Sequence, residues 1–339
     1  IGQAELMFDA LDGVADPLSF HREEGAGHWW DRDPDEPGAD CVDWEPMFAQ
    51  MAETRRDPLP LDFVFTSPSP GVSAVHSYLT LRSVETPMAD VVARSTREAD
   101  DLVRLVVDNG RAYEVDGAAL RARGVTRIAL GADGAPQELP DGVLQVGPRD
   151  GKTRDAEGPF HQAFHRPFCF VYPDDGPETY RRYASWLIAQ WTLIGNGHAC
   201  ALPLSAVDRV RGGGRSLIYL GVDADAIPGG GPDGFAWGPD AVTAGPRTFA
   251  PAAPADGGDD TNPGIAFLAV FPDEDPGDVG VSAVLATTAG DEALLYRVMP
   301  FSSRAGLPDW VVLSDQGLLA AGFFAPADWR FAPDLADGL

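Results

Sequence analysis

Residues 21–31, HREEGAGHWWD, carry the strongest chemical signal in the chain. Gly25 and Gly27 let the backbone turn sharply, and the turn presents the imidazole of His28. It follows a short alternating run, LSFHRE at 18–23, predicted to be a strand. An imidazole titrates near neutral pH. With room to move it can take a proton from a hydroxyl and later hand it to a leaving group. His28 is therefore the candidate catalytic residue, a general base for a serine. The competing reading is a histidine packed into an aromatic turn by Trp29 and Trp30. His21, inside the alternating run, reads as a surface or packing residue.

The other chemistry-bearing residues fall short of a site. His161 and His165 are four apart, but Pro159 and Pro167 bracket them and no Glu adjoins the first, so a loop is expected rather than a helical metal pair. Cys41, Cys169 and Cys200 form no C-x-x-C pair. One bridge is possible and none is required, and Cys200 reads as a buried thiol beside His198. Asp31, Asp33 and Asp35 open like a calcium loop. Glu36 stands where glycine is needed and Val42 where the closing glutamate is needed. Gly229, Gly231 and Gly234 match a dinucleotide fingerprint, yet Pro232 lies inside it and no helix pattern follows. Gly212 to Gly214 precede a strand and make no phosphate loop. No cofactor and no metal are expected.

The elements that would position these residues fall into three textures. Residues 2–14 and 43–55 have apolar residues at helical spacing and flank the histidine turn. From 58 to 150, short alternating runs at 62–67, 77–84, 89–95, 102–109 and 125–132 are separated by Asp-Gly turns, the pattern of a small antiparallel β-sandwich. Residues 148–158, PRDGKTRDAEG, read as a polar linker. Beyond it, strands at 168–173, 216–222, 265–272, 282–288 and 309–315 accompany a helix at 177–195, and 228–263 read as loops. The expected fold class is mixed α/β and β, multidomain. Its parts are an incomplete α/β unit at 1–57, a β-sandwich-like domain at 58–150 and a Rossmann- or flavodoxin-like α/β domain at 158–339.

GQAELMFDALDG followed by LSFHREEGAGHWWD resembles the end of the catalytic domain of prolyl oligopeptidase-family serine hydrolases. Residues 27–48, GHWWDRDPDEPGADCVDWEPMF, resemble one subgroup of large bacterial members that appends a β-rich segment and then an α/β domain. GPFHQAFHRPFCFVYP (158–173) and LPDWVVLSDQGLLAAGFFAPADWRF (307–331) resemble that subgroup's C-terminus. The resemblance implies that residues 1–57 are the tail of an α/β-hydrolase fold. It also implies cleavage of peptide or ester bonds with His28 as base, and a secreted or periplasmic setting. In that fold the triad runs Ser, Asp, His, which places serine and acid ahead of residue 1. The chain departs from the family in one respect: no Gly-x-Ser-x-Gly elbow occurs in its 339 residues. The alternatives are a non-catalytic binding or structural module, and a carbohydrate-ester or carboxyl esterase.

The composition is that of a globular chain, 44% hydrophobic, with no apolar run long enough to span a bilayer. A formal charge of −27 repels phosphate, so a nucleic-acid partner is not expected, and the expected partner is a peptide or ester substrate. Arginine carries nearly all the positive charge, because Lys152 is the single lysine.

Overall fold

The computed structural model describes residues 2–15, 18–32, 35, 40–251, 264–273, 280–288, 292–302 and 306–338. The chain divides into two units, Ile1–Pro58 and Leu59–Leu339.

The first unit holds helices α1 (Gly2–Leu11), α2 (Asp40–Asp43) and α3 (Glu45–Glu53). Pro46 sits in the first turn of α3, where its missing N–H breaks no helical hydrogen bond. None of the unit's described residues is buried. Leu6, Met7, Val14, Phe48 and Met51, which supply the apolar helix faces, are all exposed. The predicted strand at 18–23 does not form. Alternation alone cannot make a strand, because its backbone groups need a paired neighbour, and the described residues of this unit include no strand.

The second unit opens with β1 (Phe63–Ser67), β2 (Val75–His76), β3 (Leu79–Val84), β4 (Val91–Ala99), β5 (Leu102–Asp108) and β6 (Gly110–Asp116). Helix α4 (Gly117–Ala122), capped by the Asp116 carboxylate, leads to β7 (Arg127–Leu130), β8 (Gln137–Glu138) and β9 (Val143–Val146). They form a five-stranded sheet, β1-β4-β5-β7-β8, and a four-stranded one, β2-β3-β6-β9. All pairs are antiparallel except β5 with β7. Alternate residues of both sheets, among them Leu79, Leu81 and Val115 on one and Val91, Val103 and Leu105 on the other, share a single core. The strand at 110–116 has no counterpart in the sequence reading.

The remainder contributes β10 (Phe168–Tyr172), α5 (Glu178–Gly195), β11 (Cys200–Pro203), β12 (Ser216–Leu220), β13 (Phe235–Trp237), β14 (Val242–Ala244) and β15 (Arg247–Phe249). It continues with β16 (Ile265–Pro272), β17 (Val281–Thr287), β18 (Trp310–Ser314), β19 (Gly317–Phe324) and β20 (Phe331–Asp337). Eight of these strands make one sheet in the order β11-β10-β12-β17-β16-β18-β19-β20. From β11 to β17 the pairs are parallel, and from β17 to β20 they are antiparallel. The near-continuous burial of β12, β16 and β17 explains their unbroken apolar runs, since both faces are covered. Helix α5 buries Tyr180, Tyr183, Ala184 and Leu187 on its inner side. The small sheet β13-β14-β15 lies within the stretch expected to be loops. Its Phe235 stacks on Phe267 and meets the edge of Trp310. The second unit is therefore mixed α/β with several sheets and few helices.

Candidate functional site

His28 is exposed, as is Trp29 beside it, whose ring meets the imidazole edge-on at 5.1 Å. Gly25 takes a positive φ of 75°, a conformation open to glycine and strained for other residues, and this turns the chain ahead of the imidazole. His28 has no hydroxyl or carboxylate partner among the described residues of its unit. The better-held imidazole is His21. Its ring stacks on Trp44 at 4.4 Å, and its Nε2 lies 3.3 Å from Glu23 Oε2. Glu23 also pairs with Arg32, and that bond lowers its carboxyl below the usual range. His21 is thus an exposed residue packed on Trp44, in keeping with a surface or packing role, though it lies outside any strand.

The second unit contains a cluster that sequence reasoning missed. Residues 148–158 are not a simple polar linker. Lys152 and Glu157 are both buried in it, and the segment is tied down along its length. Lys152 N–H donates to Pro326 O at 2.8 Å. The N–H groups of Glu157 and Gly158 each donate to Gln162 Oε1 at 2.8 Å, and Phe160 N–H reaches Pro308 O at 3.1 Å. Lys152 Nζ sits 2.5 Å from Asp309 Oδ2, with both side chains at most 1% exposed. Phe324 N–H donates to the same oxygen at 2.9 Å. The Trp329 ring lies beneath Nζ, its centroid 4.6 Å away. Gly158, at φ 78°, brings its Cα so close to Asp309 Oδ1 that any Cβ would collide with it. Asp309 Oδ1 and Glu157 Oε2 are buried without a hydrogen-bond partner among the described residues. Lys152, Glu157, Gly158 and Asp309 line one small cavity of about 20 Å³.

Burial is the main cause that raises the Glu157 carboxyl to about 8, with Lys152 opposing the shift and Asp309 adding to it. Burial also raises Asp309 from its ordinary value, against the pull of Lys152. The folded state keeps a proton on Glu157 that the unfolded chain releases near 4.5. This contribution is complete below that value and is lost as pH rises through about 8. Urea midpoints measured from about pH 5 to pH 9 should therefore fall in the wild type, and Glu157→Gln should flatten that fall. An unchanged slope in the variant would remove Glu157 as its source.

His161 Nε2 donates to the Phe301 carbonyl at 3.2 Å, and His165 caps a short 3₁₀ turn with its imidazole lowered by burial and by His161. Cys200 is not a free thiol. It lies opposite Cys169 in the parallel pair β10/β11, Cα atoms 4.6 Å apart, and the two form a disulfide. Spacing could not reveal this, because the partners are 31 residues apart and meet only through strand register. Asp33 and Glu36 of the acidic turn lie outside the described residues. Among the described residues no group of three or more His, Cys, Asp or Glu is arranged to hold a metal ion, and no helix is long and apolar enough to cross a membrane. Gly234 belongs to a turn that packs on Phe331, with no helix following. A pocket of about 180 Å³ does open where the parallel strands β12 and β17 end, lined by Tyr180, Asp223, Trp237, Thr287 and Thr288. The carboxyl ends of parallel strands are the usual place for ligands in open α/β sheets. No protein-family model matches the chain, and neither a curated protein nor a solved structure is similar enough to it to count as a match.

Proposed function

We propose that the chain is the C-terminal portion of a serine hydrolase of the prolyl oligopeptidase kind, cleaving peptide or ester bonds. His28 is its general base, and serine and aspartate are supplied by sequence ahead of residue 1. The observation that carries this reading is the state of the first unit. An imidazole stands open at a glycine turn, and the helices on either side leave their apolar residues uncovered. Helix faces of this kind gain stability only by packing against something, and the rest of an α/β-hydrolase sheet is the partner that the resemblance implies. On the same reading the parallel half of the eight-stranded sheet is the Rossmann- or flavodoxin-like part of the appended domain. Its antiparallel half departs from that plan.

A serine-directed fluorophosphonate tests the assignment. Protein translated with the sequence that precedes Ile1 in its gene should take up one equivalent of the probe, on a serine upstream of residue 1. The 339-residue chain alone should take up none. Labelling of a serine inside the 339 residues, or none in the longer protein, would reject the reading.

A further inference from the structure

We propose that Lys152 and Asp309 condense to an intramolecular isopeptide bond, with Glu157 carrying the proton. The inference is independent of the hydrolase reading, because all three residues lie in the second unit. Four observations lead to it. The amine and the carboxyl are in contact, Nζ to Oδ2 at 2.5 Å, and neither side chain is more than 1% exposed. A fixed donor, Phe324 N–H, sits 2.9 Å from Oδ2, where negative charge gathers when an amine adds to the carboxyl carbon. The second carboxyl oxygen, Oδ1, has no hydrogen bond to hold it and faces Gly158 and a cavity of about 20 Å³, room for about one water. Glu157 lines that cavity with its Oε2 also unpartnered.

An ion pair taken out of water loses more solvation than contact returns unless every remaining lone pair is satisfied, and here Oδ1 is not. Transfer of one proton from the ammonium to the carboxylate removes both charges and leaves a neutral amine beside a carboxylic acid, the two partners of amide formation. Burial raises the carboxyls of Asp309 and Glu157 and so favours the protonated acid at both. The fixed geometry supplies the proximity that two free groups in solution lack. Nζ bonds to Cγ of Asp309. Glu157 accepts the surplus amine proton on one oxygen and gives its own to the departing hydroxyl, so that it ends as the carboxylic acid it began as. The Cγ–Oδ1 bond breaks, one water leaves, and nothing is oxidised or reduced.

The test is the intact mass of the denatured chain with its disulfide reduced. The wild type should be lighter than its sequence mass by one water, and a digest should contain one branched peptide joining the segments around Lys152 and Asp309. Lys152→Arg and Asp309→Ala should each show the full mass. Asp309→Asn should form the same bond with loss of ammonia, ending at the wild-type mass. Glu157→Gln, matched in shape, should show the full mass while keeping the wild-type circular dichroism. A wild-type protein at full mass, with the two segments separate in the digest, overturns the proposal. A folded Glu157→Gln variant that links as completely as the wild type overturns the part given to Glu157.

Discussion

Turnover by the longer protein is expected to fall about 10²–10⁴-fold in His28→Ala, the range typical of a lost general base. The loss should appear in kcat, because in the proposed role the imidazole acts on the reacting hydroxyl and its removal leaves substrate contacts in place. Two neighbours serve as controls. His21→Ala removes a ring stacked on Trp44 and should alter stability while leaving kcat near the wild-type value. Trp29→Ala removes an exposed ring that meets His28 only at its edge, so its effect should be far smaller than that of the histidine. Hydrolysis of a p-nitrophenyl ester and of a peptide p-nitroanilide by the three variants separates these outcomes, and the ratio of the two substrates distinguishes an esterase from a peptidase. Undiminished turnover in His28→Ala would end the role assigned to that residue.

The second large effect is on stability. Relative to the chain with its Lys152–Asp309 pair unjoined, Asp309→Ala should destabilise the Leu59–Leu339 unit by about 3–5 kcal/mol, the usual consequence of stranding one member of a buried pair. The stranded group is Lys152, which lies over the Trp329 ring and, among the described residues, has Asp309 as its ion-pair partner. Lys152→Met combined with Asp309→Leu replaces both charges with apolar groups of similar size. It should be clearly the more stable of the two variants, because no charge is then left dry. Guanidinium midpoints, compared at unchanged slope, read the difference. A double variant no more stable than Asp309→Ala would mean that the cost arises from lost packing and not from the uncompensated amine.

Much of the second unit could be read from residue order, because its strands announce themselves through burial. Runs such as IAFLAVFP and the alternation in DFVFTS reflect two covered faces and one covered face respectively. Helix α5 was legible from Tyr180, Tyr183 and Leu187 at helical spacing. Three features were not legible, each for a physical reason. Strand β6, GRAYEVD, mixes glycine and charge and owes its place to the neighbours β3 and β9. LSFHRE has the right alternation but no pairing strand among the described residues of its unit. The segment 148–158 is charged throughout, and charge reads as solvent exposure unless its counter-charge is known. Asp309 lies 157 residues further on, so only the fold discloses the pair. At the candidate site the outcome was the reverse. His28 was conspicuous in the sequence because glycine turns and aromatic neighbours are local features, whereas the buried triad of Lys152, Glu157 and Asp309 depends on tertiary contact.

That the one lysine of this chain is sealed inside it has a practical consequence for handling the protein. A lysine-specific endoprotease has a single peptide bond to cut in 339 residues, at a point where the backbone is fastened to Pro326. Folded material should therefore pass through such a digestion whole. Resin coupling or fluorescent tagging through side-chain amines should fail on the native form. A chain whose Lys152 is not joined to Asp309 becomes open to cleavage and tagging once it comes apart around that residue, whereas a joined chain resists both even when unfolded, so the two reactions report the state of the fold only for unjoined chains.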